Sequence, residues 1–187
     1  MNKKYLIGLI ILLAVIVTFF ALNTLSQKEN IENNQIPVKD YKNSSYIIEG
    51  QTVVLTNGLS EIESAPGSAT KIITRYFGNE MKHDINNDGR EDVVFLLTQE
   101  RGGSGTFFYV VAALNTPKGY ITSHAFFLGD RIAPQSINID EELENVIVVN
   151  FATRRPDESM TTQPSVGKSV WIKLDPNTLQ FVEVFKK

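Results

Sequence analysis

"DVVFLLTQERGGSGTFFYVVAAL", Asp92–Leu114, decides the fold class. Its first run, "DVVFLLTQ", has the length of a strand and is continuously apolar through its middle. Alternation would predict one wet face, so an unbroken run predicts a central strand covered on both sides. "GGSG" at 102–105 turns the chain, and "TFFYVVAAL" follows as a second β-branched and aromatic strand.

The same signals recur on either side. "SYIIEGQTVVLTNG" reads as two short strands joined in a hairpin at Glu49-Gly50. "KIITRYFGN" is β-branched and aromatic, hence extended, and "YITSHAFFLG" continues the strand series after a turn at "NTPKG". "QSINI" and "NVIVVNFAT" flank the acidic "DEELE", and "RRPDESMTTQPSVG" is a long polar loop. "KSVWIKLDP" and "LQFVEVF" close the series around the turn "DPNT". About eight to ten closely spaced strands leave little room for helices. The expectation is a mainly β chain with one antiparallel β-rich domain over 44–187, as a sandwich, an open barrel or a bent meander.

Composition bounds the function. The chain has 187 residues, 42% of them hydrophobic, enough for a packed core. A net charge of −3 argues against a nucleic-acid binder, which needs a basic face. The absence of cysteine excludes disulfides, thiolate metal sites, cysteine nucleophiles and cysteine lipidation. At the N-terminus, Lys3 and Lys4 precede "YLIGLIILLAVIVTFFAL", and no further charge occurs before Lys28. At about 1.5 Å per residue the run matches a hydrocarbon core of roughly 30 Å. With no convincing A-x-A cleavage pattern in the "NTLSQKEN" that follows, it predicts an uncleaved transmembrane signal anchor over 5–25, the rival reading being a cleaved signal peptide. The lysines would keep a stub, 1–4, in the cytoplasm and place the remainder outside, a single-pass protein of the cell membrane. Polar, asparagine-rich residues 26–43 read as a linker.

The chemistry centres on "DINNDGRED", Asp84–Asp92. Alternate residues of a tight loop point inward, so the oxygens of Asp84, Asn86 and Asp88 can converge on a hard cation. Gly89 permits the turn, Arg90 offers its carbonyl and Asp92 binds directly or through water. An all-oxygen ligand set selects calcium, in a structural role. Glu80 is a further candidate ligand. The twelfth position is Phe95, where an EF-hand carries a bidentate glutamate, and the flanks are strands. The bland alternative is a polar Asp-Gly turn.

The spacing D-x-N-x-D-G-x-x-D before an apolar strand resembles the calcium loop of FG-GAP/VCBS-type β-propeller blades. That resemblance covers about 20 residues and implies the ligand set Asp84, Asn86, Asp88, Arg90 and Asp92. With a single copy it does not imply a propeller. More widely, "YFGNE", the loop, "GGSGTFFYVVAAL" and "LGDRIAPQ" in this order resemble small exported, membrane-anchored bacterial proteins of unknown function.

Other constellations are weaker. "GGSG" fails the G-x-S-x-G pattern at Thr106, and "PSVGKS" fails the phosphate-loop pattern at Thr162, so no nucleotide is expected. His83 and His124 do not assemble a catalytic triad. "DEELE" reads as a solvated turn. Asp130, Arg131, Arg154 and Arg155 suit ion pairs or a polar pocket. Phe126 and Phe127 are candidate contacts for an envelope protein partner. The expected role is binding or scaffolding at the cell envelope, with no catalytic residue assigned. The alternative is a cation-dependent envelope hydrolase.

Overall fold

The computed structural model describes residues 40–185. The expected stub 1–4, the membrane helix 5–25 and linker residues 26–39 lie outside the described residues. Among the described residues no helix is long and apolar enough to cross a membrane.

The hairpin predicted at Glu49-Gly50 forms from β1 (Ser45–Ile48) and β2 (Gln51–Val54). Glu49 and Gly50 both have positive φ, 50° and 80°, which makes a type I′ turn matched to the twist of its strands. Beyond it come β3 (Leu59–Glu63), β4 (Lys71–His83), β5 (Asp92–Glu100), β6 (Phe107–Thr116), β7 (Gly119–Thr122) and β8 (Phe126–Asp130). These build a six-stranded antiparallel sheet in the order β3-β4-β5-β6-β7, with β8 also pairing β6. The last four, β9 (Ala133–Ile139), β10 (Val146–Thr153), β11 (Val166–Asp175) and β12 (Gln180–Glu183), form a four-stranded sheet in the order β12-β11-β10-β9.

Strands β5 and β6 lie at the middle, covered on both sides as their unbroken apolar runs predict. Val94, Leu96, Val110 and Ala112 face one core, shared with Ile147, Val149 and Ile172 of the four-stranded sheet. Val93, Phe95, Leu97, Tyr109 and Val111 face a second core, closed by Tyr46, Ile48, Val53 and Leu55 of the hairpin region. Phe95 is fully buried there, against the rings of Tyr41, Tyr46 and Tyr76 at 5.4–5.7 Å. The arrangement is a two-sheet sandwich with a hairpin as a third layer. The described strands number twelve, more than the sequence predicts, because "YITSHAFFLG" breaks at 123–125 and because "LSEIE", at the head of a stretch that reads as a connection with a Pro-Gly turn, pairs with β4 as β3. At that break Ala125 N–H donates to the Ile47 carbonyl and His124 N–H to that of Leu179, both at 2.8 Å. His124 therefore lies between strands, not within one.

The end of the expected linker belongs to the folded unit. Tyr41–Asn43 form a 3-10 turn capped by Asp40, whose side chain accepts from Lys42 N–H. The Tyr41 and Tyr76 hydroxyls donate to Glu80 Oε1 at 2.7 and 2.6 Å, and Lys42 lies 3.6 Å from the same oxygen. Although partial burial opposes it, these three partners hold the Glu80 carboxyl below its ordinary range.

Candidate metal loop between strands β4 and β5

The loop follows β4, a strand bent by register shifts at Gly78 and before Met81. From His83 onward the chain turns on its own side chains. Asp84 Oδ1 accepts from Asp88 N–H at 3.0 Å and its Oδ2 from Gly89 N–H at 2.7 Å. Asn86 Oδ1 also accepts from Asp88 N–H, at 3.0 Å, and Asp88 Oδ1 accepts from Arg90 N–H at 2.9 Å. These are the local side-chain-to-backbone bonds that Asp and Asn make in turns. Asn87 at φ 61° and Gly89 at φ 82° take the left-handed conformations that the tight path requires.

Positions one, three and five of the predicted pattern thus share one small loop. Asn86 Nδ2 donates to Asp88 Oδ2 at 3.1 Å, so amide and carboxylate touch. Arg90 behaves in a way the spacing does not predict. Its guanidinium folds back onto Asp88 Oδ2 at 2.7 Å, while its Nε donates to the Asn115 carbonyl at 2.8 Å. It is the loop's internal cation. Burial opposes ionisation of Asp88, yet the Arg90 N–H, the Asn86 amide and the guanidinium hold its carboxyl below the usual range.

Asp92 is fully buried. Its Oδ2 accepts from Ile85 N–H at 3.1 Å and its Oδ1 from Asn115 N–H at 2.7 Å. One carboxylate thereby ties the start of the loop to the end of β6. Burial pushes its carboxyl up to about 6; the two N–H bonds oppose that rise, and the charges of Asp88 and Asp84 add to it. Glu80, the extra candidate ligand, is held instead by Tyr41, Tyr76 and Lys42.

Among the described residues no three His, Cys, Asp or Glu side chains group as a formed metal cage. The proposed set has three carboxylates, one amide and one main-chain carbonyl, and its three aspartates are not drawn together into such a cage. Its chemistry fits a hard cation. An ionised carboxylate has about four lone-pair sites, and each Asp84 oxygen uses one on an N–H. Asp88 would have to release Arg90 to bind an ion through Oδ2.

Sequence reasoning missed two partners. Asn115 supplies main-chain groups from 23 residues beyond Asp92. Asn87 Nδ2 donates to Glu144 Oε1 at 2.8 Å, so one end of "DEELE" is not simply solvated. No local signal announces either.

Asp130 pairs with Arg131 at 2.9 Å and its Oδ1 accepts from Thr106 N–H. Arg154 donates to the Arg131 carbonyl at 2.7 Å, and Arg155 pairs with Glu158. Phe126 is half-buried against Phe181, whereas Phe127 is 49% exposed beside Tyr109. Two clefts occur elsewhere, one of about 280 Å³ beside Glu49, His124 and Phe181, the other of about 300 Å³ beside Asp140 and Trp171. Neither is lined by the loop. No family model, curated protein or solved structure matches this chain.

Proposed function

We propose that the chain is a membrane-anchored, extracytoplasmic β-domain in which loop 84–92 holds a structural calcium ion. Its work is binding or scaffolding at the cell envelope. The observation that carries the calcium reading is the crowding of Asp84, Asn86 and Asp88 in one turn above the buried Asp92. Three carboxylates in so short a loop repel one another, and Arg90 offsets only one unit of charge. A divalent ion offsets two and would tie β4 to β5 through oxygen ligands. Asp84, Asn86, Asp88, the Arg90 carbonyl and Asp92 would hold it.

The test is thermal melting of the full chain in non-ionic micelles, with calcium and with a chelator. For affinities of roughly 10⁻⁴ to 10⁻³ M, about 10 mM calcium should raise Tm by about 5–8 °C. Asp84→Ala and Asp88→Ala should abolish the difference. An unchanged wild-type Tm in chelator sinks the calcium reading.

A further inference from the structure

The outward face of the four-stranded sheet carries side chains that a merely solvated face does not need. In one cross-strand row Val148 of β10 pairs with Asn138 of β9 and Trp171 of β11. In the next, Asn150 pairs with Ser136 and Ser169. The polar groups form a chain. Asn138 Nδ2 and Asn150 Nδ2 both donate to Ser136 Oγ at 3.0 Å, and Ser169 Oγ donates to Asn150 Oδ1 at 2.6 Å.

Trp171, the protein's single tryptophan, is only partly buried. Its Nε1 donates to Asp140 Oδ2 at 2.9 Å. Asp140 is itself fixed, since its Oδ1 accepts the N–H groups of Glu142 and Leu143 at 2.9 and 3.0 Å. The indole is thus anchored at its polar edge. A cleft of about 300 Å³ lies beside it, with Val148 as an apolar floor and Asn138, Asn150, Asp140 and Glu142 around it.

We infer that this cleft is a saccharide-binding site. A sugar ring has an apolar C–H face and a rim of hydroxyls that both donate and accept. Trp171 supplies the stacking surface, and the amides of Asn138 and Asn150 supply groups that both donate and accept. Asn138 and Trp171 flank Val148 from the two neighbouring strands, so amide, indole and apolar side chain border one patch of the sheet face. Asp140, Glu141 and Glu142 line the cleft and repel anions. The nearest lysine of the Trp171 strand, Lys173, is turned onto the Glu144 carbonyl at 3.1 Å. The ligand is therefore a neutral or amino sugar, not a phosphorylated or carboxylated one. This site needs no metal ion, and it rests on the proposed function only for the compartment in which the glycan is met.

Binding is read from Trp171 fluorescence of the full chain, titrated with chitotetraose and cellotetraose. The detergent is a polyoxyethylene, because maltoside and glucoside headgroups are themselves saccharides. A saturable change is expected, with a dissociation constant on the order of 1 mM for so shallow a cleft. Asn138→Ala, exposed and outside both cores, should weaken binding about tenfold at unchanged melting temperature; Asn150→Ala should weaken it similarly and, because it also deletes the bonds to Ser136 and Ser169, lower the melting temperature somewhat. Trp171→Phe, followed by calorimetry, should weaken it further. Three results each overturn the inference: no saturable change with either sugar, unaltered binding in both asparagine variants, or a response to AMP in place of sugar. Chelator should leave the titration unchanged, so loss of the calcium reading leaves this one standing.

Discussion

Replacing Asp92 by asparagine separates charge from shape at the base of the loop. Two effects with different pH dependence follow from the geometry. The carboxylate accepts two main-chain N–H groups, from Ile85 and Asn115. An amide accepts only through its one oxygen, whereas even the protonated acid keeps lone pairs on both, so one N–H loses its acceptor at acid as well as neutral pH, a cost of roughly 1–3 kcal/mol. The second effect is titration. Burial raises the Asp92 carboxyl from 3.8 to about 6 in the folded protein. Because the folded pKa lies above the unfolded one, the favourable contribution is complete below the unfolded value. It is lost as pH rises through the folded value. A shift of about two units corresponds to about 3 kcal/mol, and most of it is lost between about pH 4 and pH 8. Asparagine does not titrate. In metal-free protein Asp92→Asn should therefore be the less stable chain near pH 4. It should gain about 2–3 kcal/mol on the wild type by pH 8, closing or reversing the gap. Urea unfolding of the full chain in micelles, followed by Trp171 fluorescence, measures both. A wild-type-to-variant difference that stays constant to within about 0.5 kcal/mol across this range refutes the argument.

Other perturbations reach the packing and the turn before β1. Phe95→Ala removes a fully buried ring from the second core and should cost about 3–5 kcal/mol in urea unfolding. Glu80→Ala frees the two tyrosine hydroxyls, costing about 1–3 kcal/mol and speeding hydrogen exchange at residues 41–44. Since the folded Glu80 carboxyl is depressed, its contribution is present above its unfolded pKa and lost as pH falls through the folded one. The wild-type-to-Glu80→Ala gap should thus narrow in acid, and a gap that widens there contradicts the assignment. Tyr109→Phe deletes a hydroxyl that donates to Glu49 at 2.7 Å and accepts from Arg101 at 2.7 Å, for a loss of about 1–2 kcal/mol by thermal melting.

The extent to which all this was legible in the chain differs from element to element. Val93–Leu97 and Phe107–Leu114 announce doubly covered strands because every position is apolar, whichever face it takes. Glu49-Gly50 announces a hairpin because glycine tolerates the positive φ of the turn. "YITSHAFFLG" misleads, since nothing in its composition shows that Ala125 will pair with Ile47. The loop's oxygens are legible because Asp84, Asn86 and Asp88 bond to main-chain groups within five residues.

Local sequence therefore determined the β class, the two central strands, the hairpin and the crowding of oxygens at 84–88. It also supplies the expectation of an anchor at 5–25. Folding decided the rest, because burial and hydrogen-bond partners come from chain that is remote in sequence. The burial of Asp92 depends on Asn115, and the capture of Glu80 depends on Tyr41. The setting of Trp171 against Asp140 spans 31 positions. Periodicity shows which face a side chain takes, but only the packed sheets bring that face against its neighbours.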